Sequence, residues 1–291
     1  MNSMNISKMM KKSLFFVVGL LLALSVYADE PISFASWNLR YANAEDSLAG
    51  NGWSKRIVPI SNVIRYNDID IVNLQEMNGV DSISMTDMLL EKLPGYAAVT
   101  CGDSVCRDFN PIVYKDEIRL LDKGVFWFAP DPGKAEKGWD AMLRRYCTWA
   151  KFEKNGYPFF VFNVHWDHKG AQARHESALL SVRMVKELAM DNPVFFAGDL
   201  NCRRKYDCYY LLKDEFWRDA REDAVFVYLQ DSTFNRFNVK AFGKNIDHVF
   251  VTNDIRVLRY GVTKEIYFDG EKWRYASDHN PIIVFAKLTK K

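Results

Sequence analysis

The chain has 291 residues, of which 48% are hydrophobic, 14% aromatic and 26% charged. This composition excludes an intrinsically disordered chain and is sufficient for one large globular domain. The formal net charge of +2 lacks the strong basic excess that a nonspecific nucleic-acid binder usually carries.

The N-terminal segment predicts a cleaved signal peptide. Three lysines precede the apolar run LFFVVGLLLAL, and Val26 and Ala28 occupy the small-residue positions of a cleavage site. The apolar run is too short to span a bilayer as a helix. We therefore expect residues 1–28 to be removed and residues 29–291 to form one catalytic domain outside the cytoplasm, secreted or periplasmic. The mature chain then has 36 Lys and Arg against 37 Asp and Glu, a net charge near −1.

Apolar runs rich in Phe, Val, Ile and Trp recur through the mature chain and predict strands. The predicted strands cover residues 32–37, 70–76, 111–115, 119–129, 146–152, 158–166, 193–199, 246–251, 255–262 and 281–288. Helical periodicity predicts a helix over 173–190 and weaker ones over 54–67 and 85–93, with Pro59 early in the first of these weaker ones. So many strands favour two sheets packed face to face, with helices outside, over a single doubly wound sheet.

Five cysteines in an oxidising compartment suggest local disulfides. Cys101 with Cys106, and Cys202 with Cys208, are each close enough in sequence to close a small loop. Cys147 lies in a strand-like run and is expected to be a buried free thiol. No pair has the spacing of a zinc site.

Several of the apolar strands begin or end with a group of polar residues. These groups are Asn38 with Arg40, Gln75 with Glu76, His165 with Asp167 and His168, Gly198 with Asp199 and Asn201, Asp247 alone, and Asp278 with His279. A single such group is typical of a turn or cap. If these strand ends converge, the carboxylates cannot all stay ionised without a cation, and a hard divalent ion with oxygen ligands meets that need. The predicted chemistry is metal-assisted attack of water on phosphorus.

Six segments also resemble the endonuclease/exonuclease/phosphatase superfamily, the relatives of DNase I. They are WNLRY, IVNLQE, FNVHWDH, FFAGDLN, NIDHVFV and SDHNP, in the order of the family, and they span Trp37 to Pro281. The resemblance implies an α/β fold with four layers, an α/β/β/α sandwich whose site lies at one rim of the two sheets. The segment KGWDAMLRRYCTWAKF resembles a secreted bacterial branch of this superfamily.

The resemblance implies a role for each matching residue. Asp199 would position or deprotonate the attacking water, and Asn201 would help to orient water or phosphate. Asp247 would orient His279, which together with His165 would stabilise charge on the phosphoryl oxygens. The implied metal ligands, for Mg²⁺ or Mn²⁺, are Glu76, Asn38 and Asp278.

Other residues are candidates for binding the substrate. Arg40 and Arg145 could clamp a phosphate, because guanidinium matches phosphate oxygens in bidentate fashion. Asn110, Asp167 and His168 are expected to line the same pocket.

The substrate itself depends on the loops, here 41–53, 100–110, 130–144 and 230–245. Aromatic and basic residues in these loops suit a small molecule, a nucleotide or a single-stranded nucleic acid. We expect a monomer without stable membrane insertion. Two alternatives remain open, a secreted endonuclease or exonuclease and a non-catalytic binding protein on the same fold. A glycan hydrolase is less favoured, because it would leave both imidazoles and Asn201 without a task.

Overall fold

Two mixed β-sheets form the centre of the fold. The structure, a computed structural model, describes residues 31–78, 84–102, 106, 109–213, 217–230, 232–239 and 243–289, so the predicted signal peptide lies outside the described residues. The strands are β1 (Ile32–Asn38), β2 (Ile71–Gln75), β3 (Tyr96–Val99), β4 (Ile112–Lys115), β5 (Arg119–Trp127), β6 (Tyr146–Lys154), β7 (Tyr157–His165), β8 (Val194–Asp199), β9 (Arg218–Asp219), β10 (Phe226–Gln230), β11 (Asp247–Val251), β12 (Ile255–Val262), β13 (Ile266–Phe268), β14 (Trp273–Tyr275) and β15 (Ile282–Leu288). The helices are α1 (Ala44–Leu48), α2 (Trp53–Tyr66), α3 (Met85–Leu90), α4 (Ala171–Ala189), α5 (Asp207–Leu212) and α6 (Ala220–Asp223).

The sheet topology brings particular strand ends together. The seven-stranded sheet has the order β10-β12-β15-β1-β2-β4-β3, and the six-stranded sheet has the order β5-β6-β7-β8-β11-β9. β1 runs parallel to β2, and β7 runs parallel to β8, so the carboxyl ends within each pair are neighbours. β15 is antiparallel to β1, and β11 is antiparallel to β8, so both strands begin at that same edge of their sheet.

The side chains of the strands alternate between an inner and an outer core. Phe34 and Phe195 stack between the two sheets with ring centroids 4.8 Å apart. Phe160 and Phe162 point to the other face of their sheet, where they share a cluster with Ala178 of α4. Each fully buried Phe contributes about 1.5–3 kcal/mol of hydrophobic stabilisation.

Helix α2 covers the outer face of the seven-stranded sheet. Its apolar stripe, Ile57, Ile60 and Ile64, joins the third core cluster. With α4 on the outer face of the other sheet, the layers are helix, sheet, sheet and helix. The predicted four-layer α/β/β/α sandwich is confirmed.

The ten predicted strands are all present, with bounds that differ by at most two residues. Pro59 was expected early in its helix, but it lies in the middle of α2. Proline cannot donate to the carbonyl one turn earlier, and that carbonyl belongs to the exposed Lys55, where water can replace the missing donor. The short strands β3, β9, β10, β13 and β14 were not predicted, because runs of two to five residues carry little periodic signal.

A buried carboxylate ties the two sheets together. Asp70, directly before β2, accepts a hydrogen bond from the backbone N–H of Ser33 at 3.0 Å. Its two oxygens also meet the ammonium groups of Lys115, at 3.0 Å, and of Lys154 in the other sheet, at 2.6 Å. Burial by itself raises the pKa of Asp70, but the hydrogen bond and charge of Lys154, with the bonds from Ser33 and Lys115, hold it below its ordinary value.

Buried amides join the sheets nearer to the rim, and we call them the amide bridge: Asn73, Gln75 and Asn163. Gln75 Nε2 donates to Asn163 Oδ1 at 2.8 Å, across the sheets. Asn163 Nδ2 donates to the carbonyl of Leu74 at 2.8 Å, and Asn73 Nδ2 donates to the carbonyl of Phe162 at the same distance. Since buried polar groups are costly unless paired, the amide bridge fixes the spacing of the two sheets.

The cysteines are arranged as the spacing predicts. Disulfides join Cys101 to Cys106 and Cys202 to Cys208, and Cys147 is a buried free thiol. Among the described residues, no helix is long and apolar enough to cross a membrane.

Candidate active site

The strand ends converge at one rim of the sandwich. Asn38 ends β1 beside Gln75 of β2, so Glu76 follows next to it. In the other sheet His165 of β7 pairs with Asp199 of β8, and Asp247 of β11 pairs with Asp199 from the opposite side. The topology therefore collects the predicted polar residues from both sheets.

Three residues of the rim adopt left-handed backbone conformations. Arg40, Glu76 and Asn201 have φ values of 54°, 61° and 48°. Such values are uncommon for residues with a side chain and are found at functional turns that their surroundings hold in place. At each of these positions the chain leaves its strand sharply, which turns the side chains toward the rim.

The carboxylate of Asp199 lies at the centre of the site. Its Oδ1 accepts the backbone N–H of Asn201 at 2.9 Å, and its Oδ2 accepts Asn38 Nδ2 at 3.1 Å. The Nε2 atoms of His165 and His279 lie 3.4 Å and 3.8 Å from the same Oδ2. Burial is the main cause that raises the pKa of Asp199, and the nearby Asp247 adds to it while the charge of His279 opposes it.

His279 is held by a carboxylate and by two aromatic residues. Its Nδ1 lies 2.9 Å from Asp247 Oδ2, and its backbone carbonyl accepts Trp37 Nε1 at 2.8 Å. The Phe234 ring lies 4.8 Å from the imidazole, centroid to centroid. Burial by itself lowers the pKa of His279, but the charge and hydrogen bond of Asp247, with the charges of Asp199 and Asp278, raise it well above its ordinary value. The carboxylates around His279 therefore favour its imidazolium form.

His165 is the opposite case. Burial, together with the charges of Arg145, His279 and His168, holds its pKa well below the ordinary value. Its Nδ1 is buried and has no hydrogen-bond partner among the described residues. The surroundings of the two imidazoles around Asp199 therefore shift their pKa values in opposite directions.

The predicted metal ligands lie on the seven-stranded side of the rim. Glu76 accepts Asn38 Nδ2 at 3.1 Å and the backbone N–H of Tyr41 at 3.2 Å. Asp278 is buried, and the only hydrogen-bond contact of its carboxylate within the described ranges is with Ser277 Oγ, at 3.5 Å. Burial raises the pKa of Asp278; the charge of His279 opposes this rise and that of Glu76 adds to it. Two carboxylates and an amide oxygen fit Mg²⁺ or Mn²⁺, and neither carboxylate forms an ion pair with a residue in the described part of the chain.

A second group of possible ligands lies beside the first. One ligand atom from each of Asp199, Asp247 and His279 falls within 4.8 Å of the others. Asp247 is already committed to His279 Nδ1, as a carboxylate that orients an imidazole would be. This geometry favours a positioning role for Asp247 over a ligand role.

A cavity of about 480 Å³ opens over these groups. It is lined by Arg40, Tyr41, Glu76, Asn78, Phe109, Leu143, Arg145, His165, His168, Asp199, Asn201, Phe234, Ile246, Asp278 and His279. Its volume lies within the range of small-molecule sites, roughly 300–1,000 Å³.

Arg145 is the cation of this cavity without a direct partner. Within the described part of the chain it makes no ion pair, and its Nε is buried without a hydrogen-bond acceptor. Burial lowers its pKa, while the more distant charges of Asp199, Glu76 and Asp167 oppose that shift. Arg40 differs, because its Nε is paired with Asp46 at 2.8 Å. Arg145 is therefore the better placed guanidinium for a phosphate.

Two predicted pocket residues do not line the cavity. Asp167 is buried, and its carboxylate accepts backbone N–H groups of Met142, Leu143, Lys169 and Gly170 at 2.7–3.1 Å. Asp167 therefore fixes the loop that carries Met142 and Leu143, and both of its carboxylate oxygens are already engaged in hydrogen bonds. The buried Asn110 donates to the carbonyl of Tyr146 at 3.1 Å and supports the cavity wall from behind. His168, in contrast, does line the cavity.

The sequence analysis missed Arg56 of α2, which is fully buried behind the rim. Its guanidinium donates to the carbonyls of Leu39 at 2.6 Å and Arg40 at 2.9 Å, on the segment that follows Asn38. It also donates to the carbonyl of Ala276 at 3.1 Å, two residues before Asp278, and to that of Asn51 at 2.7 Å. The sequence feature that could have identified Arg56 was its position beside Ile57 on the apolar face of a predicted helix.

The sandwich and its acid, imidazole and amide rim define the class of the DNase I-like hydrolases. Residues 35–279 match the Endonuclease/Exonuclease/phosphatase family, and the chain belongs to that family. Members of this family are generally dependent on a divalent metal. The chain is accordingly a hydrolase of phosphate esters by family.

Solved structures and a viral protein are similar over most of the chain. A family protein from Bacteroides thetaiotaomicron is 34% identical with a TM-score of 0.84, covering 91% of this chain and 100% of its own. The mannosyl-6-phosphatase Bt3783 of the same organism is 34% identical with a TM-score of 0.82, over 88% of this chain and 99% of its own. The uncharacterized protein L388 of Acanthamoeba polyphaga mimivirus is 27% identical, over 80% of this chain and 91% of its own.

Proposed function

We propose that this protein is a metal-dependent phosphatase or phosphodiesterase that acts on small phosphate esters outside the cytoplasm. The observation that carries the proposal is the buried Asp199 carboxylate, which lies 3.4 Å and 3.8 Å from two imidazoles whose pKa values are shifted in opposite directions. A base, a cation and a neutral donor around one point are the groups that hydrolysis at phosphorus requires.

The metal would be held by Glu76, Asp278 and the amide oxygen of Asn38. When bound, a divalent cation would polarise a phosphoryl oxygen and neutralise developing charge. Burial raises the pKa of Asp278, and a bound cation would oppose that shift and favour the ionised carboxylate. Glu76 is already oriented for this task by its two hydrogen bonds.

The remaining groups would divide the work on water and phosphate. Asp199 would accept a proton from the attacking water, with Asn201 fixing one of its oxygens. The imidazolium of His279 would stabilise negative charge on the phosphoryl oxygens, and Asp247 would keep its ring in one orientation. Arg145, which forms no ion pair with any residue that the structure describes, would bind the phosphate before and during reaction.

Three observations favour a small ester over a long nucleic acid. The cavity of about 480 Å³ is the size of a small-molecule site. The predicted mature chain has no basic excess, whereas binding long DNA depends on many phosphate contacts. A structure 34% identical over nearly all of its length is described as a mannosyl-6-phosphatase, which supports a sugar phosphate as the first substrate to test.

Location outside the cytoplasm is supported by the predicted leader, residues 1–28. The two disulfides agree with it, because such bonds persist mainly in oxidising compartments. Detection of the processed chain in a periplasmic or culture fraction would test this part of the proposal.

The activity test uses p-nitrophenyl phosphate, its bis-ester and hexose phosphates, with Mg²⁺ or Mn²⁺ and with EDTA. We expect turnover that EDTA abolishes and added metal restores, and weaker Mn²⁺ binding by calorimetry in Glu76→Ala. Turnover that survives exhaustive chelation would contradict the metal-dependent mechanism. Efficient plasmid nicking with a steep salt dependence, without turnover of small esters, would make the protein a nuclease instead.

A matched pair of variants tests the phosphate clamp. Arg145→Ala should lower kcat/KM by the worth of a charged hydrogen bond, about 1.5–3 kcal/mol or roughly 10- to 150-fold. The neighbouring Arg144 is exposed and does not line the cavity, so Arg144→Ala should change kcat/KM by less than about twofold. Equal effects of the two changes would exclude a specific clamp.

A further inference from the structure

A second, strongly basic cavity lies near the candidate active site. Its volume is about 370 Å³, and it is lined by Arg203, Arg204, Lys205, Gly243, Lys244 and Asn245. Three of the cations follow β8 along the chain, and the fourth precedes β11. The roles proposed above use none of these residues.

The positive charge in this cavity is only partly neutralised. Arg204 pairs with the buried Asp219 at 3.2 Å, and that carboxylate also accepts the hydroxyl of Tyr209 at 2.6 Å. Within the described ranges, Arg203, Lys205 and Lys244 form no ion pair, and Arg204 Nε is buried without an acceptor. Several cations around one concave surface create a positive potential that attracts an anion.

The wall that carries the arginines is fixed in place. The disulfide between Cys202 and Cys208 closes the segment that holds them, and both cysteines are buried. The carbonyl of Cys202 also lies 2.7 Å from Nε2 of the buried His248. The backbone N–H of Tyr206 donates to the carbonyl of Arg203 at 2.9 Å, which completes a tight turn. The backbone of this segment is therefore braced at both ends; the side chains of Arg203 and Arg204 are half-buried, and that of Lys205 is exposed.

The opposite wall is also built from the backbone. Phe234 and Lys244 exchange two backbone hydrogen bonds, at 2.9 Å and 3.2 Å. Gly243 donates to Ser232 Oγ at 3.2 Å. A Cβ at Gly243 would collide with the carbonyl of Phe234, so this wall can approach closely only with glycine there.

The two segments that line the basic cavity also contribute residues to the catalytic cavity. Asn201 lines the catalytic cavity, and Arg203, two residues later, lines the basic one. Phe234 lines the catalytic cavity, whereas its backbone partner Lys244 lines the basic cavity. Ile246, two residues after Lys244, again lines the catalytic cavity. A substrate held by the catalytic groups could therefore extend a second group into the basic cavity.

We infer that the basic cavity is a subsite for a second phosphate or sulfate group of the substrate. This inference rests on the proposed function and narrows it to small phosphate esters that carry a second tetrahedral anion. Arg203 and Lys244 line the subsite from two separate segments of the chain, and guanidinium and ammonium are the usual donors to such anions.

The kinetic test uses alkanediol bisphosphates of increasing chain length, each compared with the monophosphate of the same diol. We expect one range of lengths for which kcat/KM of the bisphosphate exceeds that of the monophosphate about tenfold or more. The double variant R203A/K244A should remove that ratio, and the milder Lys244→Gln should reduce it. The exposed Lys55, on α2, supplies the control, since Lys55→Ala should leave the ratio unchanged.

A titration with sulfate tests the subsite without turnover. In calorimetry at low salt, wild type and Lys55→Ala should each bind one more sulfate ion per protein molecule than R203A/K244A binds. If no ester is hydrolysed, the proposed function fails, and the titration still decides whether the cavity binds an anion. If esters are hydrolysed but the variants change neither the ratio nor the sulfate stoichiometry, the subsite is refuted. A preference for oligonucleotides over every bisphosphate would also overturn the assignment to small esters.

Discussion

Replacing Arg56 with methionine should weaken the fold and the site together. The side chain is fully buried, and its guanidinium donates four hydrogen bonds to backbone carbonyls. Burial lowers its pKa to about 10, so the group remains charged at neutral pH. Two of the segments that it joins carry Asn38 and Asp278, which lie at the end of β1 and shortly before the start of the neighbouring strand β15. Loss of the cation therefore removes the connection between two proposed metal ligands.

The magnitude follows from what methionine leaves behind. Each buried carbonyl without a donor costs about 1–3 kcal/mol, so four would cost about 4–12 kcal/mol if none were rehydrated. Removing the buried cation relieves several kcal/mol of desolvation cost, which offsets part of this loss. We expect a net decrease of about 3–5 kcal/mol in the free energy of unfolding, the range measured when one partner of a buried charged network is deleted.

The assay is urea unfolding followed by intrinsic fluorescence, together with kcat/KM under conditions where the variant is folded. Arg65 lies on the same helix and is exposed, so Arg65→Met should change stability by less than about 0.5 kcal/mol. In Arg56→Met, kcat/KM should fall by about 10²-fold, because a displacement near 1 Å is sufficient for that loss. A stability change below about 1.5 kcal/mol with unchanged kinetics would refute this account of Arg56.

Three further predictions concern other residues. Asp247→Asn should lower kcat by about 10²–10⁴-fold with a smaller change in KM, because His279 loses its orienting carboxylate; a change confined to KM would contradict this. Asp70→Asn should lower stability by about 3–5 kcal/mol at neutral pH. The pKa of Asp70 is lower in the folded state than in the unfolded state, so the ionised carboxylate stabilises the fold at pH values above its unfolded pKa. The stability difference between wild type and Asp70→Asn should therefore vanish as acid protonates the folded carboxylate. Thiol titration of the denatured, unreduced protein should find one free thiol, that of Cys147, whereas five would rule out both disulfides.

The sequence was sufficient to predict the layers and the rim because both depend on local patterns. A buried strand such as VFFAGD is visible as an apolar run, and its polar end is visible as Asp199. Parallel and antiparallel pairing then determines which ends meet, and the order of the six motifs supplied that pairing by resemblance. The predicted positions of Glu76, Asp199 and His279 at one rim agree with the structure.

What the sequence could not predict depends on contacts between distant segments. Asp167 looked like a pocket residue beside His165, but its Oδ2 accepts two backbone amides from a loop more than twenty residues away, and its Oδ1 accepts two from the residues that follow it. Arg56 lies in a helix without catalytic motifs, and its partners reach as far as Ala276. No local pattern reports such distances. Cavity walls such as Phe234 likewise depend on how a loop folds back onto the last strand.

The amide bridge between the sheets has a consequence for motion at the catalytic rim. Its hydrogen bonds join the strands just beneath Asn38 and Asp199, which come from different sheets and also contact each other at 3.1 Å. Sliding of one sheet over the other would break several buried hydrogen bonds at once, so local opening there requires nearly global unfolding. Backbone amides of Leu74 and Asn163 should then be among the slowest to exchange with deuterium. Heat should inactivate such an enzyme only when the whole sandwich melts.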